Sequence, residues 1–368
     1  MNVKKIIVSF VLWVVIVNCF AVLALNRFNL KSDTAYTWID PNQFSQNQQW
    51  NPVSLHAHWD SFWYLDIAQN GYIFKGPEKL SNIVFFPLYP LLIRAASFFI
   101  GGNFIFAGWI LSLIFLFLAL FYFSRLVREF HNEINYQLPL ALLLIFPTAF
   151  FLNAIYTESL FLFLSIAAFY YAFKKKFCLA GIFGFFASLT RVTGILLFIP
   201  LIWEYFKNFK FHQPFNENFL SIFLVPLGTL GFFLFHYFKF GDFFLFLKVE
   251  GWWGRAFSLN KDHFLLLTNP AAANLFTDLL FVIFAIIATY FVFKKLRTSY
   301  GLYMSTTLLV ALGTGTFMSI GRYLLVLFPI FILIALVKNQ RQQLAYIFFS
   351  TLLLAMNIIL FVNNYWAG

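Results

Sequence analysis

The sequence has few charged residues and little cysteine. Charged types make up 11% of the 368 residues and hydrophobic types 61%, whereas an ordinary soluble domain has about 25% charged and about 45–50% apolar residues. This composition excludes a conventional soluble enzyme, a disordered chain and a nucleic-acid-binding domain. The two cysteines, Cys19 and Cys178, lie in or beside apolar segments and lack metal-type spacing, so we predict inert thiols there.

Long apolar runs make up most of the chain. Runs of about 18 or more apolar residues are typical of membrane-spanning helices, and stretches such as LSLIFLFLALFYF lack the alternation of outer-membrane strands. We predict an all-α, polytopic integral membrane protein with about eleven transmembrane helices, the first of them retained rather than cleaved as a signal sequence. The candidate spans are 6–25, 104–124, 138–154, 157–173, 177–190, 193–206, 219–238, 271–293, 301–318, 322–337 and 344–362.

The basic residues predict how these spans are oriented. Lys and Arg cluster at the ends of apolar runs, as at 174–176 and 294–297, and such clusters face the cytoplasm. All of these basic clusters lie on the cytoplasmic side if the apolar but proline-containing segment 83–100 does not cross the membrane. This topology places the N-terminus inside and leaves two sizeable extracytoplasmic loops, 26–103 and 239–270. The chain is predicted to be a single domain, 1–368.

The first loop contains the segment HAHWDSFWYLDIAQNGY, from His56 to Tyr72. Its middle part predicts an amphipathic helix from Trp59 to Ala68, with Gly71 as a C-cap. Asp60 and Asp66 are about 240° apart around such a helix, so they point apart and do not form a carboxylate pair. One could face a cavity while the other holds the loop. The alternative is an interfacial helix with its aromatic rings at headgroup level.

Three further segments place unusual residues at the same outer face. In NAIYTES, Glu158 either belongs to a site or stands at a helix N-terminus that Thr157 or Ser159 caps. Arg191 and Arg322 are isolated arginines at the ends of apolar segments, and each needs a counter-anion, either a carboxylate or a phosphate. Ionisable groups at such depth indicate function.

Other site chemistries have little support. His56, His58 and Asp60 could bind a divalent ion, but a two-residue spacing in a loop is a weak signal. The motifs Walker A, GxGxxG and GxSxG do not occur, so neither an ATP-driven pump nor a serine hydrolase is indicated.

Five segments in order resemble the PIG-V-type mannosyltransferases, a family of the GT-C superfamily of integral membrane glycosyltransferases. They are HWDSFWYLDIAQNGY, FFPLYPLLIR, NAIYTESLFLFL, SLTRVTGILLFIPL and SIGRYLLVLFPIF. The resemblance implies a GT-C-type architecture with a large first extracytoplasmic loop that carries an essential aspartate, here Asp60. The absence of an N-x-Ser/Thr sequon favours a bacterial member in the plasma membrane, with its active site on the extracytoplasmic face.

The resemblance also implies an inverting sugar transfer. The donor is a polyprenyl or dolichyl phosphate sugar, with mannose as the sugar, and the acceptor is a hydroxyl of a lipid-linked or cell-surface glycan. Asp60 is the catalytic base, Arg191 and Arg322 stabilise the departing phosphate, and no metal or other cofactor is required if arginine supplies the charge. The expected substrate-binding residues are His58, Trp59, Tyr64, Asp66, Tyr156, Glu158, Arg191, Arg322 and Tyr323.

Two alternatives to the transferase stay open at this point. One is a flippase or transporter of lipid-linked oligosaccharides, which would be expected to show polar groups near mid-membrane and often repeat symmetry. The other is a non-catalytic assembly subunit whose first loop is a docking surface. The transferase requires Asp60, Arg191 and Arg322 to meet. The expected partners are the lipid bilayer, the donor and the acceptor, and not nucleic acid.

Overall fold

The structure is a computed structural model that describes residues 3–28, 30, 52–76, 79–207, 217–253, 272–314 and 316–367. Within these ranges the regular elements are helices, which confirms the predicted all-α class. Residues 31–51 of the first predicted loop and 254–270 of the second lie outside the described residues. The α-helices are α1 Val3–Arg27, α2 Asp60–Asn70, α3 Leu88–Phe99, α4 Phe104–Phe130, α5 Gln137–Leu144, α6 Glu158–Phe173, α7 Phe177–Ser188, α8 Phe198–Lys207, α9 Glu217–Ile222, α10 Leu224–Phe240, α11 Leu245–Trp252, α12 Ala272–Lys295, α13 Thr298–Gly313, α14 Ile320–Val326, α15 Pro329–Ala335 and α16 Gln340–Val362.

Four helices within the described ranges are long and apolar enough to cross a membrane: α1, α4, α12 and α16. Helices α10 and α11 together add a fifth candidate, bent by 89° at the break between them. The chain is therefore an integral membrane protein. The prediction of about eleven transmembrane helices is not confirmed, because several predicted spans form shorter or broken helices.

Proline accounts for part of this difference. The predicted span 322–337 divides into α14 and α15, and Pro329 is the first residue of α15. Proline fits at a helix start but lacks the N–H that a continuous helix requires. The predicted span 138–154 likewise divides into α5 and a 3₁₀ turn at Ala149–Asn153, with Pro147 between them.

The segment 83–100 forms α3, which begins directly after Pro87. A 12-residue helix is about 18 Å long, which is shorter than the ~30 Å hydrocarbon core, so α3 does not cross by itself. The Arg94 side chain donates to the carbonyl of Gln69, 3.0 Å away, and so ties α3 to the end of α2.

Helices α4 and α6 run side by side in the same direction through the centre of the described structure. Near their beginnings, the indole of Trp109 donates to the side-chain oxygen of Asn153 (3.0 Å). Near their ends, the Tyr170 hydroxyl donates to Glu129 (2.8 Å). We call the first region, which includes Asp60 and Glu158, the site end, and the second, which includes Glu129 and Lys174, the basic end.

Candidate active site

Asp60 is the first residue of α2 and follows a backbone turn at Trp59 with a φ of +53°. Residues other than glycine rarely adopt a positive φ, and such strain persists only where surrounding contacts enforce it. The hydroxyl of Tyr156 supplies two of these contacts, since it donates to the His58 carbonyl (3.0 Å) and accepts from the Asp60 N–H (3.2 Å). The indole N–H of Trp59 also donates to the carbonyl of Tyr365 (3.1 Å).

The side chains of Asp60, Glu158, Arg191 and Arg322 meet in what we call the ion-pair cluster. Arg322 bridges the two carboxylates, with its Nη1 2.6 Å from Asp60 Oδ2 and its Nε 2.7 Å from Glu158 Oε1. Arg191 Nη1 lies 3.0 Å from the same Glu158 oxygen. Two guanidinium groups thus face two carboxylates. The structure brings together the three residues that the transferase hypothesis requires to meet.

The ion-pair cluster is buried unevenly. The side chain of Glu158 is 0% exposed and that of Arg322 is 5% exposed, whereas Arg191 and Asp60 reach 12% and 20%. Asp60 is therefore the member that solvent or a substrate reaches first. Glu158 Oε2 is buried and has no hydrogen-bond partner among the described residues.

Aromatic rings enclose both guanidinium groups. The Arg322 guanidinium lies 4.7 Å from the ring centre of Tyr156 and 5.0 Å from that of Phe151. The Arg191 guanidinium lies 5.3 Å from the ring of Tyr323. A cation over an aromatic face is stabilised most where water is excluded. The rings therefore stabilise the two guanidinium groups, whose side chains are only 5% and 12% exposed.

Asp66, also predicted as a site residue, points away from the ion-pair cluster. Its two oxygens accept hydrogen bonds from the side-chain amides of Asn82 (2.7 Å) and Asn70 (2.8 Å). Asn82 also donates to the Gly71 carbonyl and accepts from the Ile73 N–H. Asp66 therefore holds the chain that follows α2, and the two aspartates lie on different sides of the helix as predicted.

The helix boundary after Asp66 agrees with the sequence. Helix α2 ends at Asn70, and Gly71 follows with a φ of +78° while its N–H donates to the Ile67 carbonyl. Glycine adopts this conformation without strain, which is why it ends the helix. Tyr64, on the inner face of α2, is buried with its hydroxyl 3.4 Å from that of Thr157.

The two histidines of the HxH pattern have other contacts. His56 stacks on the ring of Trp109, with 4.8 Å between ring centres, and His58 Nδ1 lies 2.7 Å from the side-chain oxygen of Asn364. Burial lowers the pKa of His56 to about 3 and that of His58 to about 4, so both rings are neutral near pH 7. No three His, Cys, Asp or Glu side chains within the described ranges are grouped to hold a metal ion.

Sequence reasoning missed the segment 363–367, which packs over the ion-pair cluster. Its Asn364 and Tyr365 contact His58 and Trp59, and the ring of Trp366 lies 5.7 Å from the Arg322 guanidinium. The only signal was a short polar stretch, NNYW, after the last apolar run. Contacts between residues about 300 positions apart leave no spacing pattern in a single sequence.

Comparison with known proteins gives one informative match. Neither the curated proteins nor the solved structures give a significant match to the chain. The family described as Mannosyltransferase (PIG-V) matches residues 3–248, which is well over half of the chain and includes Asp60, Glu158 and Arg191. Arg322 and the segment 363–367 lie beyond the matched region. The chain therefore belongs to the PIG-V family of mannosyltransferases and is a glycosyltransferase enzyme of the membrane.

Proposed function

We propose that this enzyme transfers mannose from a polyprenyl or dolichyl phosphate donor to a hydroxyl of a lipid-linked or cell-surface glycan, with inversion at the anomeric carbon. Asp60 is the general base, and Arg191 and Arg322 bind the phosphate that leaves. The observation that carries the proposal is the ion-pair cluster, in which one partly exposed carboxylate contacts a buried guanidinium.

The reaction requires a base beside the acceptor hydroxyl. Arg322 binds Oδ2 of Asp60, and no hydrogen bond from the described residues reaches Oδ1. Oδ1 is therefore available to accept the proton of the acceptor hydroxyl. As that proton moves to Asp60, the acceptor oxygen forms a bond to the anomeric carbon. A positioned general base contributes typically about 10²–10⁴-fold to the rate.

The leaving group requires cations. The bond between the anomeric carbon and the phosphate oxygen breaks, and its electron pair stays on that oxygen, so a lipid phosphodiester becomes a more highly charged monoester. Guanidinium groups bind phosphate through paired N–H donors. Donors that are already in place in a water-excluded site stabilise developing charge strongly. Arg322 and Arg191 are 5% and 12% exposed, respectively, and fit this role.

The charge balance of the ion-pair cluster indicates which contacts the donor phosphate replaces when it binds. Its two carboxylates balance its two guanidinium groups. A donor phosphate that binds Arg191 and Arg322 therefore competes with Glu158, which contacts both arginines through a single oxygen. Glu158 accordingly holds the two guanidinium groups together before the donor binds, and no metal ion or other cofactor is part of the proposal.

The cellular location is also part of the proposal. The basic residues of α4 and α12 lie at the basic end, and positive charge marks the cytoplasmic side. This supports a site end at the extracytoplasmic face, and the lack of an N-glycosylation sequon supports a bacterial plasma membrane.

The test is a transfer assay with purified enzyme in lipid nanodiscs, polyprenyl phosphate mannose as donor and a panel of glycolipid acceptors. We expect Asp60→Asn to lower kcat, measured per folded molecule, by about 10² or more. The anomeric configuration of the product, determined by NMR, tests inversion. Glu133→Gln serves as the control, because Glu133 is exposed and lies near the basic end.

Three results would contradict the proposal. If Asp60→Asn retains wild-type turnover, Asp60 is not the base. If the enzyme uses GDP-mannose and not the lipid donor, the proposed donor class is wrong. Lipid translocation without any transfer would favour the flippase.

A further inference from the structure

The basic end of α4 carries a surface pocket of about 430 Å³. Its lining residues are Phe121, Arg125, Arg128 and Glu129, which recur along one face of the helix. The volume lies within the range of about 300–1,000 Å³ that small-molecule sites occupy. Helix α4 has 27 residues and is about 40 Å long, so this pocket is remote from Asp60.

The one carboxylate of the pocket is already engaged. Glu129 forms an ion pair with Lys174, accepts a hydrogen bond from the Tyr170 hydroxyl (2.8 Å) and lies 3.6 Å from Arg125. The Arg125 guanidinium also rests over the Tyr170 ring, 4.9 Å from its centre. A single carboxylate thus serves two cations and a hydroxyl, which leaves an excess of positive charge beside the pocket.

Arg128 adds to that excess. Of the described carboxylates, none lies within ion-pair distance of its guanidinium, which instead lies 5.5 Å from the ring centre of Tyr136. Stacking on an aromatic ring fixes the plane of a guanidinium and leaves its N–H donors free for an anion. Arg125 and Arg128, both held by rings, therefore present two oriented cations to one pocket.

The position of the pocket indicates the kind of anion. Helix α4 is long and apolar enough to cross the membrane, so its last turns, with Arg125 and Arg128, lie near the level of the lipid headgroups. Basic pockets beside transmembrane helices are suited to phosphate-bearing headgroups, and the guanidinium fork matches phosphate geometry.

We propose that Phe121, Arg125, Arg128 and Glu129 form a second binding site, which takes the phosphate group of an anionic membrane lipid at the face opposite the ion-pair cluster. Free phosphate offers the same chemistry, but the level of the pocket in the membrane favours the lipid. This site shares no residue with the proposed reaction and is independent of it.

The test measures binding of a fluorescent phosphatidylglycerol to the wild-type protein in phosphatidylcholine nanodiscs. We expect Arg125→Gln/Arg128→Gln to weaken binding about tenfold. The matched control is Lys294→Gln/Lys295→Gln. It removes the same charge from another helix end at the basic end, where the ammonium groups also lie over rings but do not line this pocket. The control should bind as the wild type does.

Equal weakening in both double variants would overturn the proposal, because it would reflect general charge rather than a site. Unchanged binding in Arg125→Gln/Arg128→Gln would overturn it as well. If the double variant does not fold, Arg128→Gln alone leaves the contacts of Glu129 intact and should still weaken binding. Displacement of the lipid by millimolar inorganic phosphate would overturn the assignment to a lipid.

Discussion

The two ends of the α4–α6 pair use the same kinds of charged residue in opposite ways. At the site end, two carboxylates balance two guanidinium groups, and the four side chains are 0% to 20% exposed. At the basic end, Glu129, Arg125 and Lys174 are 30%, 40% and 42% exposed, and cations outnumber the carboxylate. Burial thus imposes charge balance, whereas exposure to water permits an excess of positive charge.

The same difference decides what each end can bind. A balanced, buried cluster accepts an anionic substrate only by exchanging one of its own ion pairs. Such exchange gives selectivity, since a poor ligand does not repay the lost pair. An exposed excess of cations binds anions without exchange but more weakly, because water and salt screen it.

The largest expected effect comes from removing one carboxylate at each end. Glu158→Gln leaves two buried guanidinium groups with one carboxylate between them, and breaking a buried pair costs about 3–5 kcal/mol. Glu129→Gln removes a partly exposed carboxylate, for which we expect about 1 kcal/mol or less. Chemical denaturation of both variants in detergent micelles, against the wild type, measures the two free energies of unfolding.

Arg191→Gln provides a control for the first variant. Combined with Glu158→Gln it removes one charge of each sign and should recover part of the lost stability. If the two Glu→Gln variants lose equal stability, burial does not distinguish the two ends and the comparison fails.

Several features of the site end could be predicted from the sequence because they depend on local spacing. The helical period placed Asp60 and Asp66 on different sides of α2, and Gly71 marked its end. Arg191 and Arg322 each required a counter-anion because ionisable groups at such depth are costly, and both contact Glu158.

The remaining features depend on tertiary packing. The sequence did not predict that α14 and α15 are separate helices, because proline is also tolerated inside transmembrane helices and Pro329 alone does not decide a break. Nor did it predict the contact between His58 and Asn364, 306 positions apart. The pocket of α4 was also missed, since basic residues at the ends of apolar runs were interpreted only as topology signals.

Acid should destabilise both ends through their buried histidines. The effect of each histidine should be smaller than that of Glu158→Gln. His56 and His58 at the site end and His131 at the basic end have pKa values lowered by burial to about 3, about 4 and about 4. Below pH 6.5 the unfolded chain binds protons that the folded rings do not. Stability therefore falls as the pH drops from about 6.5 towards 4, by up to about 1.4 kcal/mol per pH unit for each group.

Unfolding free energies at pH 7.5, 6.0 and 5.0 measure this slope. His131→Gln should reduce this slope by the contribution of one histidine. His56→Gln/His58→Gln should reduce it by twice that contribution. A slope that no histidine variant changes would mean that these rings have the same pKa values in the folded and the unfolded chain.

The smallest expected effects are those of two tyrosine variants, one at each end. Tyr156→Phe removes the hydroxyl that joins the His58 carbonyl to the Asp60 N–H, and a buried hydrogen bond contributes about 1 kcal/mol. Tyr170→Phe removes one of several contacts of Glu129, for which we expect less than about 0.5 kcal/mol. Because the Tyr156 hydroxyl holds the strained turn before Asp60, its loss should also lower kcat for mannose transfer with little change in KM. Tyr170→Phe should leave both constants unchanged. A rise in KM without a change in kcat would show that Tyr156 contacts the substrate rather than positions the base.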